Sequence, residues 1–163
     1  MKIFFITIIA FALYCWGTLE PSFAYDAYDD NNQSPEEIAK LLAQAQKGDA
    51  EAQFNLAEAY LRGEGVVQNE KEAARWYYKA AVQGYVDAQI AMGFVYRGGG
   101  GLPMDKVLSY MWLDLAAKSG DDRAVWLRNE LAWSMTNYEI EEAREKSLLW
   151  KPETRQKHYG SLE

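Results

Sequence analysis

The chain has 163 residues, of which 49% are hydrophobic, and its 17 Lys and Arg against 24 Asp and Glu give a net charge of −7. This length predicts one domain, and the apolar fraction excludes a disordered chain. The acidic balance opposes nucleic-acid binding, which needs a basic face. A single Cys and a single His exclude an intramolecular disulfide and most transition-metal sites, so we expect no metal and no cofactor.

The first 24 residues have the pattern of an export signal. Lys2 precedes an uncharged apolar run over residues 3–16, and the small residues Ser22 and Ala24 suit signal peptidase. We predict a signal peptide at 1–24, cleavage after Ala24, and a periplasmic or secreted protein. The alternative is an uncleaved anchor, which would then be the protein's contact with the membrane. The intact mass of exported protein tests this: a chain beginning at Tyr25 supports cleavage, and one that retains Met1 supports the anchor.

An acidic leader without periodicity follows at 25–33, and a capping helix is expected at 34–47. Ser34 is a good N-cap, Pro35 suits the first helical position, and Glu37 completes a capping box. Ile38, Leu41 and other apolar residues at helical spacing give this helix one apolar face. This pattern indicates an N-terminal half-repeat.

Residues 48–119 contain a repeat with a period of 36 residues. We assign repeat 1 to 48–83 and repeat 2 to 84–119. The residues expected to hold structural positions of the repeat are Ala52, Tyr60, Gly63, Gly65, Trp76, Ala80, Gly84, Ala88, Tyr96, Gly99, Gly101, Trp112, Ala116 and Gly120.

Each repeat is predicted to form two helices. In repeat 1 the first spans about 50–62 and ends at Gly63, because glycine adopts left-handed backbone angles at low cost. Asn69 is expected to cap the second helix, with Glu72 as its capping-box partner. The second helix then presents Trp76 and its apolar neighbours at helical spacing.

The C-terminal part lacks the glycine loop and is assigned to capping helices at 120–150. One helix is expected from about 123 to 135, and Thr136 with Glu139 in box position begins another. A polar tail follows at 151–163. The expected fold is therefore all-α, an α-solenoid of antiparallel helix pairs with modified ends.

These motifs resemble the Sel1-like subfamily of tetratricopeptide-type repeats, and the closing helices resemble small exported bacterial members. The resemblance rests on Tyr60, the Gly63–Gly65 loop, Trp76 and their counterparts in repeat 2. It implies a right-handed superhelix and an adaptor role in which another protein is bound. Cysteine-rich relatives are described as β-lactamases, but this chain lacks the paired cysteines of that branch.

The alternative function is a hydrolase acting on cell-wall or β-lactam substrates. The sequence contains little evidence of the catalytic residues that such an enzyme needs. His158 lies in the predicted tail without a partner, and no Ser-x-x-Lys motif occurs. The glycine run 98–101 is followed by Leu102 and Pro103 instead of the Lys of a phosphate-binding loop. We therefore expect a protein without catalytic residues.

The expected binding surface is a concave groove along the first helix of each unit, which would hold a peptide or helix of another protein. Its candidate residues are Phe54, Glu58, Arg62, Ile90, Phe94, Arg97, Trp126, Glu130 and Trp133. Aromatics beside arginine are typical of interaction hot spots. The alternative is that the chain's own leader or tail covers this face.

Overall fold

The computed structural model describes residues 34–151. The predicted signal peptide, the leader at 25–33 and the tail from residue 152, with His158, lie outside the described residues. The described range contains seven α-helices: α1 (Pro35–Gln46), α2 (Ala50–Arg62), α3 (Glu70–Ala81), α4 (Val86–Gly98), α5 (Lys106–Lys118), α6 (Asp122–Ala132) and α7 (Asn137–Leu148). None of these helices is both long and apolar enough to cross a bilayer.

Consecutive helices pack against each other from α1 to α6, which makes a solenoid of antiparallel pairs. The predicted all-α solenoid is therefore confirmed. The C-terminal end departs from this order, because α7 packs mainly on α5. Helix α5 is consequently covered by α4, α6 and α7 together.

Side-chain N-caps begin six of the seven helices. Ser34 and Thr136 form complete capping boxes with Glu37 and Glu139, as expected. The same N-cap interactions lower the pKa of the Glu37 and Glu139 carboxyls, since the Ser34 and Thr136 backbone amides and hydroxyls favour the charged forms. These local contacts fix where α1 and α7 start.

Two local predictions need correction. Asn69 does cap α3, but the Glu72 carboxylate accepts a hydrogen bond from Arg75 at 2.6 Å instead of completing a capping box. Helix α6 is shorter than expected and ends at Ala132, because the chain turns through residues 133–135 before the Thr136 cap.

The helix that begins repeat 2 lacks a side-chain cap. Tyr85 occupies the N-cap of α4, where Asp49 and Asp121 cap the equivalent helices α2 and α6 with their carboxylates. Its ring instead packs on Phe54, with 5.4 Å between the ring centroids. This contact joins α4 to the first helix of repeat 1.

The core has two clusters of buried residues along the solenoid. The first contains Leu56, Tyr77, Met92 and Trp112, and the second contains Tyr110 with apolar residues of α4 to α7. The repeat alanines lie in these clusters: Ala52, Ala80, Ala88 and Ala116 are buried. Trp76 and Trp112 are buried too, whereas Tyr60 and Tyr96 are half-buried against the first cluster.

The repeat glycines lie at the turns with positive φ. Gly63 and Gly99 end α2 and α4 with the same φ of 75°. Gly101 is restricted twice, because its φ is +80° and a Cβ there would lie 2.6 Å from the backbone of Glu70. The glycine loop of repeat 2 therefore packs directly on the start of α3.

A buried glutamine links each first helix to the helix before it. The Gln53 amide donates to the Ala45 carbonyl at 2.9 Å, and the Gln89 amide donates to the Ala81 carbonyl at 3.2 Å. Gln83 completes the first arrangement by donating to Gln53 Oε1 at 2.8 Å. Its counterpart 36 residues on is Ser119, and Gln89 Oε1 is buried without a partner among the described residues.

Replacing Ser119 by glutamine should therefore stabilise the protein. A donor at 119 would satisfy the Gln89 oxygen, and one buried hydrogen bond is worth about 1 kcal/mol. Urea denaturation measures the change, and Gln83→Ser is the matched control, which should lower the free energy of unfolding by a similar amount. A destabilising control together with a neutral Ser119→Gln would contradict the assignment.

Candidate functional site

Three of the predicted groove residues are large exposed aromatics on the fourth and sixth helices. Phe94 on α4 is 50% exposed, and Trp126 on α6 is 64% exposed. Trp133, the C-cap of α6, is 91% exposed. A large side chain exposed to this extent contributes little to the fold, because its apolar area stays in water.

Two ion pairs connect α4 to α6 on either side of Phe94 and Trp126. Arg97 and Glu130 form a bidentate pair with both N–O distances at 3.2 Å. Arg123 donates to Asp87 at 2.7 Å and also to Asp121 at 2.6 Å.

Helical spacing places Phe94 and Trp126 between these pairs. Phe94 lies one turn before Arg97, and Trp126 lies between Arg123 and Glu130, one turn from each. We call these residues, together with Asp87, the α4–α6 surface. It combines exposed aromatic rings with charges that are already paired, so a partner could bury the rings without leaving one of those four charges unpaired.

The groove residues of repeat 1 are engaged within the protein. Phe54 is half-buried, and its ring centroid lies 5.6 Å from that of Tyr77. The buried Tyr77 hydroxyl donates to Glu58, which also pairs with Arg62 at 2.5 Å. Burial, and then the hydrogen bond and charge of Glu58, raise the pKa of Tyr77. In repeat 1 the predicted groove is therefore occupied by contacts among the protein's own side chains.

Ile90 does not belong to the surface. It is 8% exposed and lies in the second core cluster with Leu113 and Ala124. Its counterparts 36 residues away are the half-buried Phe54 and the exposed Trp126. Position in the repeat therefore does not decide exposure, because the neighbouring helices differ in how closely they cover each side chain.

A buried polar cluster, which the sequence analysis did not identify, joins the last three helices. Asp114 on α5 is 6% exposed and accepts hydrogen bonds from Ser147 of α7 at 2.5 Å and Arg128 of α6 at 2.8 Å. Lys118 lies 2.9 Å from the same carboxylate and also donates to Ser147. Burial by itself raises the pKa of Asp114, but these donors outweigh it and hold the pKa below its usual value.

The Ser147–Lys118 contact has the residue types of a Ser–Lys hydrolase but not its geometry. Such an enzyme needs an accessible hydroxyl whose proton passes to a base. Ser147 is 4% exposed, and its hydroxyl donates a hydrogen bond to Asp114, the carboxylate that also pairs with Lys118. The cluster therefore holds α7 in place and offers no accessible nucleophile.

The residues at 34–151 contain no group of three or more His, Cys, Asp or Glu side chains arranged for a metal ion.

Comparison with known sequences identifies the repeat. The family model for the Sel1 repeat matches residues 50–85 and 86–121. Chitin synthase regulatory factor 3 of Schizosaccharomyces pombe is 38% identical over 82 residues, which are 49% of this chain and 9% of that protein. Chitin synthase regulator SKT5 of Saccharomyces cerevisiae is 34% identical over 83 residues, 50% of this chain and 12% of that protein. The chain thus spans about a tenth of the length of these relatives.

Two solved structures have a similar fold. A protective antigen of uropathogenic Escherichia coli strains that displays an SLR fold matches with a TM-score of 0.68 and 29% identity, over 79% of this chain and 28% of that chain. A Sel1 repeat protein from Oxalobacter formigenes matches with a TM-score of 0.54 and 37% identity, over 55% of this chain and 37% of that one. The chain therefore contains two Sel1 repeats, at residues 50–85 and 86–121, within an all-α solenoid.

Proposed function

We propose that this protein is a non-catalytic interaction module that binds a peptide or helical segment of another protein on the α4–α6 surface. The observation that carries the proposal is the exposure of Phe94 and Trp126 between two interhelical ion pairs. Exposed aromatics with a neighbouring arginine supply most of the binding energy in many protein interfaces.

At two of the three exposed aromatic positions, Phe94 and Trp133, the repeat itself does not require an aromatic residue. The positions equivalent to Phe94 carry Glu58 and Glu130, so an aromatic ring is not needed there to build a helix pair. Trp133 likewise stands where repeat 2 has Arg97. Side chains that depart from the repeat and remain in solvent are better explained by recognition than by folding.

The relatives support a non-catalytic role in general terms. The fungal proteins that share the repeats are named as regulators of chitin synthase. These names describe regulation of an enzyme and not catalysis. A hydrolase acting on cell-wall or β-lactam substrates is the alternative function. The buried Ser147 gives it no support, because no substrate could reach that hydroxyl.

We propose further that the protein is exported, as residues 1–24 predict. Its partner would then be another exported protein. The support for export is the order of a positive residue, an apolar run and a small-residue cleavage motif.

Replacing Phe94 or Trp126 by alanine should weaken partner binding by about 1–4 kcal/mol each. The partner would be captured from the exported fraction with the wild-type protein, and its affinity for each variant measured by calorimetry. Tyr138→Ala is the matched control, because Tyr138 is an aromatic of similar exposure on α7, outside the surface. The control should bind like wild type.

Melting curves distinguish binding from folding. Both variants should melt close to wild type, since each ring is at least half exposed. If both fold and still bind every wild-type partner with unchanged affinity, the α4–α6 surface is not the binding site.

A further inference from the structure

A pocket of about 210 Å³ lies among α3, α4, α5 and the end of α7, and none of the predicted groove residues lines it. Aromatic rings form much of its wall: Tyr78, Tyr96, Trp112 and Trp150. Among the described residues that line it, Lys146 alone carries a charge. An apolar cavity of about 150 Å³ holds a benzene molecule, so this pocket has room for a substituted aromatic ring.

The walls are fixed by contacts beyond the pocket. Trp112 is 1% exposed, and its ring meets Tyr78 and Trp150 edge-on, with centroid distances of 5.9 and 4.8 Å. Lys146 directly precedes Ser147 and Trp150 lies three residues after it, and the hydrogen bond of Ser147 to Asp114 anchors this end of α7. These contacts hold the pocket walls in place, and a rigid pocket lowers the entropic cost of binding.

The polar groups of the pocket select the chemistry of the ligand. Lys146 is held by a loose pair with Glu142 at 3.4 Å, in which both side chains are more than a third exposed. Such a pair contributes little and can open to a competing anion. The Tyr96 phenol is protonated at neutral pH, as in any ordinary tyrosine, and burial raises its pKa further, to about 12.

We propose that this pocket binds a small carboxylic acid with an aromatic body, the ring lying among the aromatic walls and the carboxylate pairing with Lys146. The aromatic walls suit the aromatic ring of the ligand, because pairs of aromatic rings are stabilised in edge-to-face and offset-stacked arrangements. The ammonium matches the carboxylate through a charge-assisted hydrogen bond. This site is independent of the proposed α4–α6 surface and does not rest on it.

Fluorine NMR of protein labelled with 5-fluorotryptophan tests the proposal, with 3-phenylpropanoate as the probe and 3-phenylpropylamine as its cationic counterpart. Trp112 and Trp150 report on the pocket, and the exposed Trp126 and Trp133 are internal controls. We expect saturable shifts at Trp112 and Trp150 with the acid, and about tenfold weaker binding of the amine.

Lys146→Gln should remove the preference for the acid while the ring still binds, and Lys40→Gln, at an exposed site on α1, should keep it. The proposal is overturned if neither pocket tryptophan shifts saturably, if the acid and the amine bind equally well, or if Lys146→Gln retains the preference.

Discussion

Trp112→Ala should lower the free energy of unfolding by about 3–5 kcal/mol, the usual cost of removing a buried tryptophan. Trp112 is 1% exposed and lies in the first core cluster, between the rings of Tyr78 and Trp150. Its loss would leave a cavity at the junction of α3, α5 and the end of α7. A domain has about 5–15 kcal/mol of stability in total, so this variant should be mostly unfolded or melt at a far lower temperature.

Differential scanning calorimetry measures the effect, and Trp133→Ala is the matched control. It removes the same side chain from a site that is 91% exposed, so its melting temperature should stay within a few degrees of wild type. If the two variants melt alike, Trp112 is not buried between Tyr78 and Trp150.

Asp114→Asn should destabilise the protein by about 2–4 kcal/mol at pH 7, because a partly buried Arg128 and the neighbouring Lys118 lose their shared carboxylate. The amide keeps the size of the side chain, so the loss reports charge and hydrogen bonding instead of a cavity. Urea denaturation of wild type and variant measures the difference. Asp122→Asn, at an exposed position in the first turn of α6, is the control and should change stability far less.

The pH dependence of this difference has a definite sign. The folded-state pKa of Asp114 lies below its ordinary value of about 3.9, so the folded protein favours the charged carboxylate. The stabilisation is therefore complete above about pH 5 and is lost as the pH falls below 4 through the folded-state pKa. The gap between wild type and Asp114→Asn should be constant from pH 5 to 8 and narrow in acid. A gap that widens in acid would show that the cluster does not hold a charged Asp114.

Local sequence determined the helices and their starts. Ser34, Asn69 and Thr136 cap the helices predicted from them, because a cap needs only a side-chain oxygen and an amide a few residues away. The 36-residue spacing also determined the solenoid, since equal spacing of glycines, alanines and tryptophans requires each unit to pack in the same way. The right hand of the superhelix was implied by the resemblance to the family.

Contacts between residues far apart in the chain were not predicted. Asp114 and Ser147 are 33 residues apart, and nothing in their spacing indicates that α7 folds back onto α5. Among the described residues Gln89 Oε1 has no hydrogen-bond partner, and this too depends on tertiary contacts, since Gln53 is paired with Gln83, which lies 30 residues away in the chain. The pocket likewise depends on where Trp150 comes to rest.

The α4–α6 surface likewise was predicted in part from the sequence and in part decided by the tertiary structure. Phe94, Arg97, Trp126 and Glu130 of this surface were predicted from the sequence, and Phe94 differs in type from the residues at its repeat-equivalent positions, Glu58 and Glu130. Whether each side chain is exposed was decided by tertiary packing: Ile90 is covered, Phe54 is half-covered by Tyr77 and Tyr85, and Trp126 is open. The period of a repeat determines which residues are equivalent, whereas burial depends on the size and position of neighbours from other helices, which the period does not encode.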